Sequence, residues 1–178
     1  MKKNKVLLIV IATIAAVLLI SISLFSQNCI ETTFLKEVGV VETGYNRGKK
    51  VEEYLKVAGA KPGNSWCAAF VYWVYKKCRP EFQLSAPAWS PSWFPNNKII
   101  YNRTKDKEIK ALSGDVFGVY YPEKERIAHV GFIYILQDGK YVITVEGNTS
   151  STELTREGDG VFQKIRPKRT IYKISRWK

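Results

Sequence analysis

A continuous apolar run dominates the middle of the chain. Residues 66–75 contain no charged residue, glycine or proline, and two lysines follow them. The run is too long for an ordinary strand, and cations are favourable near a helix C-terminus. We therefore predict a helix that is apolar almost all round and buried in the core. Asn64 or Ser65 is expected to cap it, which places Cys67 in the first helical turn.

Amphipathic and alternating patterns surround this helix. Apolar positions at helical spacing predict a second helix at residues 49–58, and residues 31–38 are typical of a short one. Four prolines predict that residues 79–95 form an irregular loop. Residues 98–110 are polar and charged and are predicted to lie at the surface. Runs of β-branched and aromatic residues predict strands at 116–121, 130–136, 141–146, 161–165 and 171–174. Helices followed by strands indicate the α+β class, with the buried helix packed on an antiparallel sheet.

The first 28 residues are expected to take the chain to a membrane. Lysines precede residues 6–25, which are apolar and uncharged, and a helix of that length can just cross a ~30 Å hydrocarbon layer. A cleaved signal and an uncleaved anchor both fit, and the length slightly favours the anchor. A third alternative, a helix buried in the globular domain, agrees less well with the lysines that precede this segment. We expect residues 29–178 to form one exported domain in the periplasm or cell envelope, anchored to the inner membrane if residues 6–25 are retained.

The chain is strongly basic, with a net charge of +12. This charge attracts polyanions such as nucleic acid, anionic lipid or an anionic cell-wall polymer, and does not choose among them. An aromatic-studded RNA-binding motif is absent, so no specific nucleic-acid partner is predicted. A solvated face and a polyanion-binding surface both fit the basic C-terminal tail, which comprises Lys164, Arg166, Lys168, Arg169, Lys173, Arg176 and Lys178.

Three cysteines and one histidine restrict the chemistry. The single histidine, His129, excludes a multi-histidine zinc site and leaves a Cys–His nucleophilic site open. Cys29 and Cys78 could pair in an oxidising compartment, whereas Cys67 and Cys78 would stand roughly 16 Å apart along one helix. A buried cysteine is usually a small hydrophobic residue. At a helix N-terminus, however, the helix dipole favours the thiolate of Cys67.

A base and an orienting group can be placed near this thiolate. His129 opens one predicted strand and Glu146 ends the next. Because a short hairpin brings the start of one antiparallel strand opposite the end of the other, we expect the two side chains to meet, facing the helix of Cys67. Asn148 follows two residues later and is expected to donate a hydrogen bond to a developing oxyanion or to the imidazole.

Four motifs in this order resemble the CHAP family of cysteine, histidine-dependent amidohydrolases/peptidases, which is related to the NlpC-type cell-wall peptidases. They are GNSWCAAFVYW at 63–73, SGDV at 113–116, AHVGF at 128–132 and VEGN at 145–148. The resemblance spans about residues 38–178 and includes the segment GVVETGYNRGKKVEEYL, which is similar to a bacterial subgroup. It implies a papain-like fold with Cys67 as nucleophile, His129 as general base, Glu146 orienting His129, and Asn148 assisting.

The resemblance also implies a substrate. CHAP enzymes hydrolyse amide bonds of peptidoglycan, so we expect an N-acetylmuramoyl-L-alanine amidase or a stem or cross-bridge endopeptidase that uses thiolate acyl transfer and no cofactor. Some members bind calcium through acidic residues shortly before the cysteine. Residues 56–66 contain none, so no metal site is predicted. Asp115 is expected to be structural, and the protein a monomer.

The sequence allows alternatives for the roles of the substrate-binding residues and for the function. Trp89 and Trp93 are expected either to cover the core or to form an aromatic wall beside a substrate groove, and Trp66 is expected among the substrate-binding residues. Glu42 and Asn46 are expected in the groove or, with more weight, as turn-stabilising residues. The rivals are a cysteine amidase or peptidase acting on a non-wall substrate such as a protein, a non-catalytic wall-binding module, and a nucleic-acid or lipid binder that uses the basic tail.

Overall fold

Helices come first along the chain and a single sheet follows. The computed structural model describes residues 11–14, 17, 29–152 and 158–177, with helical residues at 29–36. The α-helices that follow are α1 (Lys49–Val57) and α2 (Cys67–Cys78), and short 3₁₀ helices occur at Ser90–Trp93, Asn96–Lys98, Pro122–Lys124 and Lys168–Thr170. The strands are β1 (Ile99–Asn102), β2 (Val116–Tyr121), β3 (Arg126–Leu136), β4 (Tyr141–Thr149), β5 (Gly160–Pro167) and β6 (Lys173–Ser175).

The strands form one antiparallel sheet in the order β1-β6-β2-β3-β4-β5. This arrangement confirms the predicted α+β class. Three strands are longer than predicted: β5 spans Gly160–Pro167, β3 starts at Arg126 and β4 continues to Thr149. His129 and Glu146 therefore lie inside their strands and not at the ends. No strand is predicted at residues 99–102, which form β1 and pair with β6. The predicted surface location holds for most of this strand, because only Tyr101 is buried.

The predicted signal or anchor falls on residues 1–28. Apart from residues 11–14 and 17, this segment lies outside the described residues. Among the residues that are described, none of the helices has both the length and the apolar character needed to span a bilayer.

Helix α2 forms the centre of the core, as its apolar sequence predicts. Its residues from Cys67 to Tyr75 are all buried. On the sheet side, the rings of Phe70 and Tyr75 lie 5.9 and 6.0 Å from the ring of Phe132 in β3. On the other side, Tyr54 of α1 lies 5.5 Å from Phe70. The helix is therefore held between α1 and the sheet, and its first turn is fixed relative to β3 and β4.

The start of α2 differs from the prediction. Its N-cap is Trp66, with no side-chain cap, so neither Asn64 nor Ser65 has the expected role. The backbone N–H of Trp66 donates instead to Oδ1 of Asn148 in β4, at 3.1 Å. A side chain distant in sequence thus satisfies the helix end, and it also ties that end to the sheet.

A disulfide joins the helical residues 29–36 to the end of α2. Cys29 and Cys78 are bonded, as the sequence allowed, and Cys67 is a free thiol. The bridge closes a segment with a sequence separation of 49 residues. Because such a loop restricts the unfolded chain, the entropic contribution to stability is about 4 kcal/mol.

Replacing both Cys29 and Cys78 with serine is expected to lower the free energy of unfolding by about 2–4 kcal/mol, because the unfolded chain regains the entropy of the open loop. Urea denaturation under non-reducing conditions measures the change. As a control, reductant should destabilise the wild-type protein by a similar amount and leave the double variant unaffected. Equal stability of the two proteins in the absence of reductant would contradict the prediction.

Candidate active site

His129 and Glu146 meet across the pairing of β3 with β4. Both side chains are fully buried, and His129 Nε2 lies 2.7 Å from Glu146 Oε2. The predicted proximity is therefore present. Gly131 makes room for it, since a Cβ at this position would lie 2.9 Å from Cγ of Glu146 and from the backbone oxygen of Val145. The glycine of the AHVGF motif thus allows the carboxylate to reach the imidazole.

Cys67 is the first residue of α2 and is only 4% exposed. Its Sγ lies 3.7 Å from Oγ of Ser90. Gly147 of β4 allows the strand to approach the start of this helix, because a Cβ there would lie 2.8 Å from Cζ3 of Trp66 and 2.9 Å from Cβ of Phe70. The two motif glycines thus serve different contacts: Gly147 lets β4 approach the helix of the thiol, and Gly131 makes room for Glu146 within the sheet.

The thiol and the imidazole influence each other's ionisation. Burial raises the pKa of Cys67, but His129, and then Ser90 and the backbone of Val130, outweigh it and lower the pKa. Burial lowers the pKa of His129, but Cys67 and Glu146 outweigh it and raise the pKa to about 9. Nδ1 of His129 is buried and has no hydrogen-bond partner among the described residues. Because Nε2 is held by Glu146, Nδ1 is the ring nitrogen available to the thiol. These interactions favour a thiolate–imidazolium pair over the neutral thiol and imidazole.

Arg166 completes the site behind Glu146. It is buried on β5, and its Nε and Nη2 donate to Oε1 and Oε2 of Glu146 at 2.9 and 2.6 Å. Thr144 donates a third hydrogen bond, from Oγ1 to Oε1, at 2.5 Å. Burial raises the pKa of Glu146, but Arg166 and then His129 outweigh it and hold the pKa far below its usual range. The carboxylate therefore remains ionised and fixed in orientation.

Neither the solvated face nor the polyanion-binding surface describes the whole basic tail, because some of its cations are buried. Arg166 and Lys164 are buried, and Arg176 donates to both carboxylate oxygens of Asp115, at 2.8 and 2.7 Å. Asp115 also accepts a hydrogen bond from the backbone of Leu112 at 2.7 Å, in agreement with its predicted structural role. Two cations of the tail, Arg166 and Arg176, thus neutralise buried carboxylates. Lys178 lies outside the described residues.

Asn148 does not contact the imidazole in the structure. Its Oδ1 accepts from Trp66, and its Nδ2 donates to Oδ1 of Asn46 and to the backbone oxygen of Gly158, both at 3.0 Å. Because these contacts engage its amide group, the expected donation to the imidazole or to an oxyanion is replaced by a positioning role at the start of α2. The backbone conformation of Asn148 is left-handed, with φ of 56°.

Glu42 and Asn46 brace the same region from the N-terminal side. Glu42 Oε2 accepts a hydrogen bond from Nε1 of Trp66 at 3.2 Å. Asn46 donates to the backbone oxygen of Gly63 at 3.3 Å and accepts from Asn148. These contacts agree with the turn-stabilising role, and neither residue lines the cleft at Cys67.

A cleft with a volume of about 230 Å³ opens onto Cys67. The residues that line it are Asn64, Ser65, Cys67, Ala88, Trp89, Ser90, Arg126 and Ala128. Of the three tryptophans named as candidate substrate-binding residues, only Trp89 belongs to it, and this side chain is 48% exposed. Trp66 and Trp93 are fully buried, so neither ring is available to a substrate, and for Trp93 the alternative of covering the core is the one that the structure supports. They pack in the core, where Trp66 contacts Tyr54 and Trp93 contacts Tyr75.

Alkylation of Cys67 by iodoacetamide is expected to stay fast well below the ordinary thiol pKa of about 8.5, because the neighbouring imidazole lowers the pKa of this thiol. The rate should fall only when acid protonates the thiolate. Substrate turnover should also fall above about pH 9, where His129 loses the proton needed by a leaving amine. Mass spectrometry of the alkylated protein across pH gives the acid midpoint. In His129→Ala the midpoint should rise, and equal midpoints would contradict the prediction.

No family model, no curated protein and no solved structure matches the chain. The chemistry of the site is therefore inferred from its own residues: a buried thiol at a helix start, an imidazole beside it, and a carboxylate that is ionised by a buried arginine.

Proposed function

We propose that the protein is a papain-like cysteine hydrolase of the CHAP type that cleaves an amide bond of peptidoglycan. The observation that carries the proposal is the placement of Cys67 at the first turn of α2 beside an imidazole whose Nε2 is held 2.7 Å from Glu146. A nucleophile, a base and an orienting group in this relation are the requirements for covalent acyl transfer.

The proposed reaction has two stages. The thiolate of Cys67 attacks the amide carbonyl, and the C–N bond breaks while His129 transfers its Nδ1 proton to the leaving amine. Water then attacks the thioester, giving its proton to His129, and the acid departs as the thiolate re-forms. Glu146, already hydrogen-bonded at Nε2, stabilises the imidazolium that is present before the first proton transfer and that re-forms when His129 accepts the proton of water. No cofactor takes part in either stage.

Two groups near the sulfur are suited to stabilise the oxyanion. The backbone N–H of Cys67 belongs to the first turn of α2, where helix N–H groups have no intrahelical acceptor. The hydroxyl of Ser90 lies 3.7 Å from Sγ. The N–H of Trp66, by contrast, is engaged by Asn148. We therefore assign the oxyanion to Cys67 N–H and Ser90 Oγ, both of which lie at the base of the cleft.

The sequence motifs and the charge support peptidoglycan as the substrate. The motifs resemble those of enzymes that hydrolyse peptidoglycan, and the net charge of +12 attracts the protein to an anionic wall. Two kinds of bond fit a thiolate acyl transfer: the muramoyl–L-Ala amide and a peptide bond of the stem or cross-bridge. In this proposal the protein acts at the cell envelope.

The proposal is tested by incubating the full chain with purified peptidoglycan and analysing the products by mass spectrometry. New N-terminal L-Ala would identify an amidase, and other new termini an endopeptidase. Cys67→Ala serves as the matched control and should release nothing. If the wild-type protein also releases nothing, wall hydrolysis is overturned, and an amidase acting on a non-wall substrate or a non-catalytic wall-binding module would then be the better account.

A further inference from the structure

Arg126 and Trp89 form a stacked pair at the cleft that opens onto Cys67. The guanidinium carbon of Arg126 lies 4.0 Å from the centroid of the Trp89 ring. Both side chains line the cleft, although Trp89 belongs to the proline-rich loop and Arg126 begins β3. Two separate segments thus converge to hold one cation beside the nucleophile.

The guanidinium of Arg126 has no carboxylate partner among the residues that the structure describes. Its recorded hydrogen bond runs from Nη1 to the backbone oxygen of Ile127, at 3.1 Å. The contrast with Arg166 and Arg176 is clear, because each of these binds both oxygens of a carboxylate. Stacking on an aromatic face uses the plane of a guanidinium and leaves its N–H edge available.

We propose that Arg126 binds a carboxylate of the substrate close to the scissile carbonyl, with Trp89 holding the guanidinium in position. The inference rests on the proposed function, in which Cys67 attacks an amide in this cleft. A guanidinium recognises a carboxylate through two parallel charge-assisted hydrogen bonds, which supply orientation as well as affinity. A primary amide in the same place lacks the charge and offers one acceptor in place of two.

The volume of the cleft limits which carboxylate this can be. At about 230 Å³, the cavity shared by Cys67 and Arg126 holds only the groups adjacent to the scissile bond. In a peptidoglycan stem, the α-carboxylate of the D-glutamyl residue lies beside the stem amide bonds and occurs either free or amidated. Arg126 thereby selects stems in which this carboxylate is free.

A matched pair of substrates tests the selection: N-acetylmuramoyl-L-Ala-γ-D-Glu-L-Lys with the D-glutamyl α-carboxylate free or amidated. The wild-type protein should favour the free acid in kcat/KM by on the order of 10- to 100-fold, the effect of charge-assisted hydrogen bonds. Arg126→Gln should remove most of this preference, chiefly by raising KM for the acid. Lys124→Gln is the matched control, because it removes an exposed cation two residues away that does not line the cleft.

Several results would overturn the inference. The wild-type protein could show no preference, or Arg126→Gln could lower kcat equally for both substrates, which would indicate a role at the oxyanion or in folding. Urea denaturation checks folding, and Arg126→Lys, which keeps the charge without the fork, should give an intermediate preference. If the wild-type protein cleaves neither substrate, the carboxylate site can still be tested by measuring the binding of the same two substrates to Cys67→Ala by calorimetry. Tighter binding of the acid, lost when Arg126→Gln is added, would support the carboxylate site, and equal binding would overturn it.

Discussion

Replacing Cys67 with alanine is expected to abolish hydrolysis, and replacing His129 with alanine is expected to reduce it almost as much, on the order of 10⁴- to 10⁶-fold. The reason is that the two side chains act as one unit: the imidazole lowers the pKa of the thiol, and the thiol raises that of the imidazole. The double variant should therefore be no worse than either single variant. Rates of peptidoglycan solubilisation by the purified proteins measure all three.

A second readout separates loss of the thiolate from loss of the fold. Cys67 is the free thiol of the chain, so iodoacetamide should label this residue alone while the disulfide is intact. His129→Ala keeps the thiol but should label slowly at neutral pH. Ser90→Ala is the comparison variant: it removes one of the two proposed oxyanion donors but keeps both the thiol and the imidazole, so it should lose much less activity than either single variant. Multiplicative losses in the double variant would show that Cys67 and His129 act independently and would contradict the prediction.

The central features of the site were predictable because they depend on short-range rules. An uninterrupted apolar run with lysines at its end identifies α2 and places Cys67 at its start. A hairpin with a short turn fixes which residues of β3 and β4 can meet, so the proximity of His129 and Glu146 follows from their distances from that turn, although both strands continue beyond these residues. Neither inference requires knowledge of how the remaining loops pack.

The residues around these three were not predictable, and β5 shows why. Alternation of apolar and polar residues would place Ile165 inside and its charged neighbours outside, but Ile165 is 65% exposed while Lys164 and Arg166 are buried. The alternation of buried apolar and exposed polar residues is inverted here, and the side chain of Arg166 points inward as the counterion of the buried Glu146. Only the pairing of β5 with β4 reveals that requirement, since Glu146 and Arg166 are 20 residues apart in sequence.

The tryptophans were ambiguous for a different reason. Residues 79–95 have no helical or strand periodicity, because prolines interrupt them, so the sequence does not indicate which aromatic rings face inward. The structure divides them, with Trp93 in the core and Trp89 at the cleft beside Arg126. Similarly, nothing in the sequence around Asn148 shows that its amide would satisfy the backbone of Trp66, 82 positions earlier.

Replacing Arg166 with methionine is expected to lower the free energy of unfolding by about 3–5 kcal/mol, the usual effect of removing one partner of a buried ion pair. Burial alone would raise the pKa of Glu146, and Arg166 is the strongest of the opposing interactions. Without it, the carboxylate is stabilised mainly by His129 and Thr144. Urea denaturation at neutral pH measures the loss, and slower alkylation of Cys67 would report the accompanying disturbance of the site.

The pH dependence of Arg166→Met distinguishes this electrostatic cause from lost packing. In the variant the pKa of Glu146 rises, so lowering the pH should protonate the carboxylate and reduce the stability difference from the wild-type protein. Adding Glu146→Gln should recover most of the lost stability at neutral pH, because no buried charge is then left unpaired. Arg169→Met, which removes an exposed cation three residues away, should change stability by less than about 0.5 kcal/mol. A loss of stability in Arg166→Met that is the same at every pH, and that Glu146→Gln does not relieve, would show that Arg166 acts through packing and not through its charge.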